Sequence, residues 1–316
     1  MADFFLHTQL IEDLYKKHPE YQHLDVAKIG AQGPDPFYYV LKSAYQKGAM
    51  HLADLMHDEK INDLLIAMAD YVKAHFSEEL LAYYQGFLSH FVMDVNIHPY
   101  IYYYTGVFIK DQPETYQYRG YHLKFERSVD IAYIRHRYQK DIHQFHKRSR
   151  ILPIKETPQM IMDMHQDVAS NVYHIDRADL YFANGYQSMR KLLKILIIDR
   201  LGIKRFLLGI VDFFHRTSPI RFQDYPYHKK DKRYDYLNLN HTTWHDPISN
   251  APHEKSILEI YQNAFDEADR IIQKTSMYIK GEETIDLKSL FKNRSFNSGY
   301  DTSKPRHMIY FKRYDR

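Results

Sequence analysis

Residues 86–99 read GFLSHFVMDVNIHP. His90, Asp94 and His98 recur in this stretch at every fourth position. An α-helix returns every fourth residue to the same side, so a helix here would point these three side chains one way. Imidazoles and carboxylates are metal ligands, and a carboxylate has two oxygens with which it can bridge neighbouring ions. The stretch therefore predicts a helix that presents a row of metal ligands.

Further candidate ligands lie on both sides of this stretch. Asp35 lies in the loop GAQGPDP at residues 30–36, where two flanking prolines stiffen its backbone. His122 and Glu126 are four positions apart and would share one face of a second helix. With two more histidines, the candidate set is His7, Asp35, His51, His90, Asp94, His98, His122 and Glu126. This mixture of ligand types indicates a multinuclear zinc hydrolase.

The composition narrows the classes of protein. The 316 residues include no cysteine, which excludes disulfides, cysteine zinc fingers and thiol nucleophiles. The formal net charge of +3 is too small to attract the whole protein strongly to nucleic acid or to membranes. The first residues, MADFFLH, lack the basic region, the long apolar run and the cleavage site of a signal peptide. We therefore expect a cytoplasmic protein.

Apolar residues recur at helical spacing through most of the chain, and no alternating strand pattern of useful length is present. The sequence therefore predicts an all-α fold. One of the predicted helices ends at His98-Pro99, because proline disfavours helical geometry in the residue before it. The helical patterns cover residues 4–17, 37–47, 49–57, 59–75, 77–97, 121–145, 157–182, 185–215 and 253–280.

We predict a metal-binding helical core in residues 1–150 and further helices packed on the same core in residues 151–293. Four prolines lie in a loop-rich passage at residues 217–252, which we interpret as an insertion or lid. Residues 294–316 are predicted to form a poorly structured tail.

The most apolar stretch of the chain is residues 192–211. Five charged residues interrupt it, so it cannot cross a bilayer cheaply. We expect a buried amphipathic helix instead, or two helices joined near Gly202.

The order of the ligand motifs resembles the zinc-dependent bacterial phospholipase C family over residues 7–130. That family has an all-helical fold similar to the fungal three-zinc single-strand nucleases. The resemblance thus implies a multi-helix bundle of this type with a loop-rich C-terminal insertion. The motifs that carry it are GPDPF at residues 33–37, the lone His51, the stretch 86–99, His122 with Glu126 and, more weakly, Asn240 with WHDP at residues 244–247.

Carried over to this chain, the resemblance implies two zinc sites. The first would be held by Asp35, His51, His90 and Asp94, and the second by His98, His122 and Glu126. In the family, the counterpart of Asp94 also bridges to a third zinc. That ion is completed by a histidine near the N-terminus, here His7, and by an N-terminal tryptophan. This chain begins Met-Ala-Asp, so we expect two zinc ions and leave the third open.

The expected mechanism is attack of metal-activated water on a phosphodiester. Asp35 is the candidate catalytic residue, because one of its oxygens can bind metal while the other orients or deprotonates the water. Asp54 and Asp130 are candidate acceptors for the N–H groups of ligand imidazoles.

We therefore expect a phosphodiester hydrolase of the phospholipase C type, with a phospholipid headgroup or a small phosphodiester as substrate. Two alternatives stay open. One is a nuclease or nucleotide phosphohydrolase on the same site, since a Tyr-rich chain can stack bases. The other is a non-catalytic, metal-stabilised binding module. The oligomeric state does not follow from the sequence.

Two basic clusters have simpler explanations than a binding site. Residues 135–148 contain Arg, His and Lys on what we expect to be a solvated helix face. The run YHKKDKR at residues 227–233 could contact a headgroup or RNA, but such loops are usually just solvated. Trp244 is expected to be a core residue rather than a wall of the cleft.

Overall fold

The computed structural model describes residues 4–145, 148–195, 199, 201–215, 220–227 and 234–314. These residues form thirteen α-helices, short 3₁₀ and π turns and one two-stranded sheet, which confirms the all-α fold. The helices are α1 (Phe4–Lys17), α2 (Leu24–Gly30), α3 (Ser43–Asp58), α4 (Ile61–Ala74), α5 (Glu78–Thr105), α6 (Tyr121–Tyr138), α7 (Ile142–Phe145), α8 (Arg148–Ile151), α9 (Gln159–Val168), α10 (Ala178–Ile195), α11 (Ile203–Phe214), α12 (Ile257–Lys280) and α13 (Leu287–Phe291).

Helix α5 is the centre of the fold and is buried along nearly all of its length. Its first turn is fixed by Ser77, whose hydroxyl accepts a hydrogen bond from the backbone N–H of Leu80 at 3.1 Å. Helices α2 and α12 pack along it. Gly30 and Gly86 allow α2 and α5 to touch backbone to backbone, because a Cβ on either glycine would overlap the other helix. The predicted row of ligands therefore lies inside the core.

The prediction that this helix ends at His98-Pro99 is wrong, since α5 continues to Thr105. Pro99 has no N–H to donate to the carbonyl of Val95. That carbonyl faces Gly299, where an added Cβ would lie 2.8 Å from the oxygen. Close packing of the C-terminal segment thus covers the position at which proline interrupts the helical hydrogen bonds.

The described part of the C-terminal segment, residues 294–314, lies outside the named helices and strands but is hydrogen-bonded to the core, and the predicted poorly structured tail stays a prediction. Phe296 is fully buried, and its backbone N–H donates to the carbonyl of His57 at 2.9 Å. Further along, the N–H of Lys312 donates to the carbonyl of Tyr103 at 2.7 Å. Backbone hydrogen bonds and single aromatic anchors hold this segment, and neither produces a periodic apolar pattern. The division into residues 1–150 and 151–293 stays a prediction.

The loop-rich passage at residues 217–252 is described except for residues 217–219 and 228–233. It contains a 3₁₀ turn, Phe222–Asp224, and strand β1, Trp244–His245, which pairs antiparallel with β2, Pro252–His253. Most of the basic run at residues 227–233 and part of the basic cluster at residues 135–148 lie outside the described residues.

Trp244 is a core residue, as predicted. Its indole N–H donates to the carbonyl of Lys255 at 3.1 Å, and its ring packs edge-on against Tyr100.

The apolar stretch at residues 192–211 is divided near Gly202, as the second alternative from the sequence predicted, but the prediction that it is buried is wrong for its described second helix. Helix α10 ends at Ile195, and the separate helix α11 begins at Ile203, directly after Gly202. Most of the apolar side chains of α11 are exposed, because its polar side faces the protein. Across the described residues, no helix combines the length and the apolar composition that are needed to span a membrane.

Candidate metal centre

Three groups of ligand side chains meet around α5 in the described part of the chain. Within each group, the ligand atoms lie within 4.8 Å of one another, which is close enough to hold a metal ion. Helix α5 contributes a residue to every group. The groups are His7 with His90 and Asp94, Asp35 with His57 and His90, and His98 with His122 and Glu126.

Asp94 lies between the histidines of these groups and is fully buried. Its Oδ2 is 3.0 Å from Nε2 of His90. Its Oδ1 is 3.3 Å from Nε2 of His7 and 3.7 Å from Nε2 of His98. A carboxylate so placed has an oxygen towards each side, as a bridging ligand requires. Asp94 thus lies centrally among the described ligand groups, and its role as a bridging ligand stays a prediction.

The group at Asp35 depends on the loop before it. Asp35 begins a 3₁₀ turn, Asp35–Tyr39, with proline as the following residue. Gly33 has a φ of +52°, and a Cβ at this position would collide with the ring of His90. Only glycine satisfies both the dihedral and the space. The loop therefore lets Asp35 Oδ1 approach to 3.5 Å from His57 Nε2 and 4.0 Å from His90 Nε2.

The structure does not bring His51 to this site, and His57 occupies the place assigned to it. Both lie on α3, but His51 is exposed whereas His57 is buried. Six residues correspond to about 600° of helical rotation, which puts the two side chains on different sides of the helix. The sequence contained a signal for His57. The buried positions of α3 are Ala49, Leu52, Ala53, Met56 and His57, which repeat at the spacing of one helix face.

The third group lies where α6 packs against α5. Oε1 of Glu126 is 2.8 Å from Nε2 of His122, one turn earlier on α6, and 3.6 Å from Nε2 of His98. The His122 side chain is 26% exposed, whereas the other ligand side chains of the three groups are almost fully buried. His122 therefore marks the side of the site that solvent reaches.

Backbone carbonyls fix the orientation of the imidazoles. Nδ1 lies 2.7 Å from the Ala53 carbonyl in His57, 3.1 Å from the Ala31 carbonyl in His90 and 2.7 Å from the Phe296 carbonyl in His98. A carbonyl only accepts, so each Nδ1 carries a proton, and Nε2 is the ring nitrogen that is directed into the site and left for a cation.

The donor set fits zinc. Nε2 of His57, Nδ1 of His7 and Oδ1 of Asp35 are buried and make no hydrogen bond to any residue that the structure describes. Buried polar atoms normally have partners, so these atoms require an explanation, and a bound cation supplies one. Nitrogen and carboxylate oxygen donors without sulfur are typical of such zinc sites.

Burial and charge set the protonation states in the absence of an ion. Burial lowers the pKa of His7, and it lowers the pKa of His122 well below its ordinary value. Burial alone would raise the pKa of Asp94, but the nearby histidines hold it well below its ordinary value. For His90, burial is outweighed by Asp94 and Asp35, which raise its pKa. An ionised carboxylate and neutral imidazoles are the forms that bind metal.

The sequence predicts that Asp130 and Asp54 accept from ligand imidazoles, whereas the hydrogen bonds described next join them to other groups. Asp130 is buried and accepts the backbone N–H groups of Phe5 and Leu6 at 3.1 and 3.2 Å. It thereby caps the start of α1, the helix that carries His7. Asp54 accepts the hydroxyl of Tyr38 at 2.8 Å. Sequence spacing placed both residues one turn from a histidine or glutamate, but their rotamers point elsewhere.

A cavity of about 610 Å³ opens beside the third group. Tyr102 lines it, and the ring of Tyr102 lies 4.7 Å from that of His122. The C-terminal segment contributes Lys304, Arg306 and His307 to its lining. Sequence reasoning missed these residues because it treated the segment as unstructured.

Residues 3–175, more than half of the chain, match the family described as zinc dependent phospholipase C. The chain belongs to this family. Membership supports a zinc-dependent phosphodiesterase at the level of the family. The three groups of side chains supply ligand types that suit zinc. No curated protein and no solved structure gives a significant match to the chain.

Proposed function

We propose that the protein hydrolyses the phosphodiester of a phospholipid headgroup at a site that holds two zinc ions. The carrying observation is the position of Asp94, whose two oxygens face ligands of neighbouring metal groups in a buried site. Membership of the zinc-dependent phospholipase C family supports the class of reaction.

The available ligand atoms support two ions rather than three. His90 has one ring nitrogen available, since its Nδ1 bonds to the Ala31 carbonyl. It can therefore serve either the Asp35 group or the His7 group, but not both. Asp35, His57 and His90 then complete one site, and His98, His122 and Glu126 complete another. Asp94 faces His90 and His98 and can belong to both of these sites, which leaves His7 with too few ligands for a third closed site, so we propose two tightly held ions.

Zinc, when bound, supplies Lewis acidity, which makes water acidic near neutral pH and neutralises charge on phosphoryl oxygens. We assign to Asp35 the role of orienting the attacking water and accepting its proton. A carboxylate can bind a cation through one oxygen and accept a proton with the other. The Asp35 side chain is buried, so few waters compete for this position.

The cavity beside His122 supports a headgroup substrate. Lys304 and Arg306 give it cationic groups for a phosphodiester, and Asp58 and Asp301 give it anionic groups. Both signs of charge in one cavity suit a zwitterionic headgroup. Tyr102 lies between the cavity and the third metal group, with its hydroxyl bonded to Asn297 at 3.0 Å.

The test compares Asp35→Asn with the unchanged protein. We expect two zinc ions per chain in both, and hydrolysis of a phosphatidylcholine analogue in the unchanged protein only. Parallel assays with a bis-aryl phosphodiester and single-stranded DNA rank the substrate classes. If Asp35→Asn keeps both its zinc and its turnover, the role of Asp35 is refuted. If zinc-loaded protein hydrolyses none of the substrates, the site is a non-catalytic binding module. If DNA is hydrolysed fastest, it is a nuclease.

A further inference from the structure

Helix α11 exposes its apolar side instead of burying it. The exposed fractions of Phe206 and Phe214 are 71% and 75%, and Ile203, Leu207 and Ile210 are at least half exposed. These residues recur at intervals of three and four, so they form a single stripe along the helix. A stripe of this kind on a protein surface marks an interaction site, whereas scattered apolar residues do not.

The polar side of α11 holds it against the protein. Asp212 is buried and accepts the backbone N–H groups of Phe222 and Gln223 at 2.8 and 3.0 Å. Arg205 lies 3.5 Å from the buried carboxylate of Asp224. The helix is thus amphipathic, but its polar side packs against the protein and its apolar side faces outwards. Its orientation is fixed by specific polar contacts, which keep the apolar stripe directed outwards.

The charges around the stripe are predominantly basic. Lys191 and Lys194 are exposed at the end of α10, and Lys204 of α11 donates to the carbonyl of Ile195 there. The described carboxylates nearby, Asp199 and those that anchor α11, are buried and engaged in hydrogen bonds or ion pairs. An apolar stripe bordered by Lys and Arg complements a surface that is apolar beneath an anionic layer.

We propose that α11 lies in the interfacial layer of an anionic phospholipid bilayer, with its apolar stripe among the acyl chains and its basic neighbours at the headgroups. An amphipathic helix of this type lies in the plane of the membrane surface and does not cross it.

The location of α11 connects this docking surface with the metal centre. Arg119 donates to the carbonyls of His215 and Ile220 at 2.7 and 3.3 Å, which ties the end of α11 to the start of α6. His122 lies three residues after Arg119, in the first turn of α6. Docking through α11 would therefore bring the solvent-reached side of the metal centre close to the lipid headgroups. This consequence rests on the proposed function, whereas the docking itself does not.

Co-sedimentation of the full chain with vesicles tests the inference. Vesicles of phosphatidylcholine are compared with vesicles that also contain phosphatidylglycerol. We expect binding to the anionic vesicles, and a loss of at least ~10-fold in affinity for the double variant Phe206→Ser/Phe214→Ser. Lys191→Gln and Lys194→Gln should each weaken binding about fivefold, an effect that added salt removes.

The matched control is Phe76→Ser, since Phe76 is an exposed phenylalanine in the turn between α4 and α5. It should bind vesicles as the unchanged protein does. Equal binding by the Phe206/Phe214 double variant and this control would refute the proposal. Light scattering detects the other occupant of the stripe, a second copy. If the double variant converts a dimer into a monomer and neither form binds vesicles, the stripe is a dimer interface.

Hydrolysis of a soluble bis-aryl phosphodiester separates this proposal from the proposed function. Docking predicts that the double variant keeps this activity while it loses vesicle binding. A protein that binds vesicles but hydrolyses nothing contradicts only the proposed function. A protein that hydrolyses the soluble substrate but ignores anionic vesicles contradicts only the docking.

Discussion

The carbonyl oxygen of Phe296 lies 2.7 Å from Nδ1 of His98, which precedes it by 198 positions. The side chain of Phe296 also packs against the site, with its ring centroid 5.4 Å from that of His57 and 6.0 Å from that of His90. The C-terminal segment thus packs against a centre whose candidate ligands, among the described residues, lie between His7 and Glu126.

Phe296→Ala should therefore weaken both the fold and the metal centre. Truncating a buried phenylalanine costs about 3–5 kcal/mol in the free energy of unfolding, and the cavity would loosen His57 and His98. Urea denaturation and zinc release to a chelator measure the two effects. Phe311→Ala is the control, because Phe311 is partly exposed and contacts Tyr118. Equal zinc release from both variants would contradict this account of Phe296.

His57→Ala and His51→Ala form a matched pair on one helix. We expect His57→Ala to lose one zinc, with a fall in affinity larger than the roughly 10–100-fold that loss of an outer-sphere partner causes. His51→Ala should keep the full zinc content, because the side chain of His51 is exposed. Metal analysis after gel filtration measures both. Zinc loss from His51→Ala alone would restore the assignment made from sequence.

Asp130→Ala should destabilise the protein through the start of α1. It removes the acceptor for the N–H groups of Phe5 and Leu6 and for the hydroxyl of Tyr227, which lies 2.7 Å away. We expect a loss of about 2 kcal/mol in the free energy of unfolding, since a cap is lost and buried donors are left unpaired. Asp130→Asn keeps one acceptor and should lose less. Asp54→Ala, at an exposed position, should change the free energy by no more than about 0.5 kcal/mol.

His165 should make stability fall as the pH is lowered. Burial lowers its pKa from 6.5 to about 3, and its Nε2 lies 2.6 Å from the hydroxyl of Tyr83. Below pH 6.5 the unfolded chain binds a proton there that the folded protein refuses, so stability is lost between pH 6.5 and about 3. From pH 6.5 to 5 this residue costs about 2 kcal/mol. His165→Gln should lack this part of the pH dependence, as urea denaturation at the two pH values would reveal.

The helical class and most members of the three candidate ligand groups could be predicted because they depend on local spacing. His90, Asp94 and His98 share a face of α5 whatever surrounds it, and the same holds for His122 and Glu126 on α6. To choose between His51 and His57, one must know which side of α3 faces the core. The apolar positions of α3 indicate that side, whereas the resemblance to the family does not.

Other features could not be predicted from local patterns. At the point where α5 continues past Pro99, the carbonyl of Val95 is packed by Gly299, which lies far away in the chain. The burial of Phe296 depends on contacts of a segment without periodicity. For α11, the pattern correctly indicated an amphipathic helix but not which side faces the protein, because buried partners such as Asp224 decide that orientation.

Helix α5 also sets the distances between the three ligand groups. Each residue of an α-helix advances about 1.5 Å, so His90, Asp94 and His98 are spaced at about 6 Å along one rigid axis. Since α5 supplies a residue to every group, the number of residues between these positions determines the distance between the groups. Substitution can change which ion binds at a group. Insertion or deletion of a single residue within 90–98 would turn the later ligands by about 100° and dismantle the whole centre in one step.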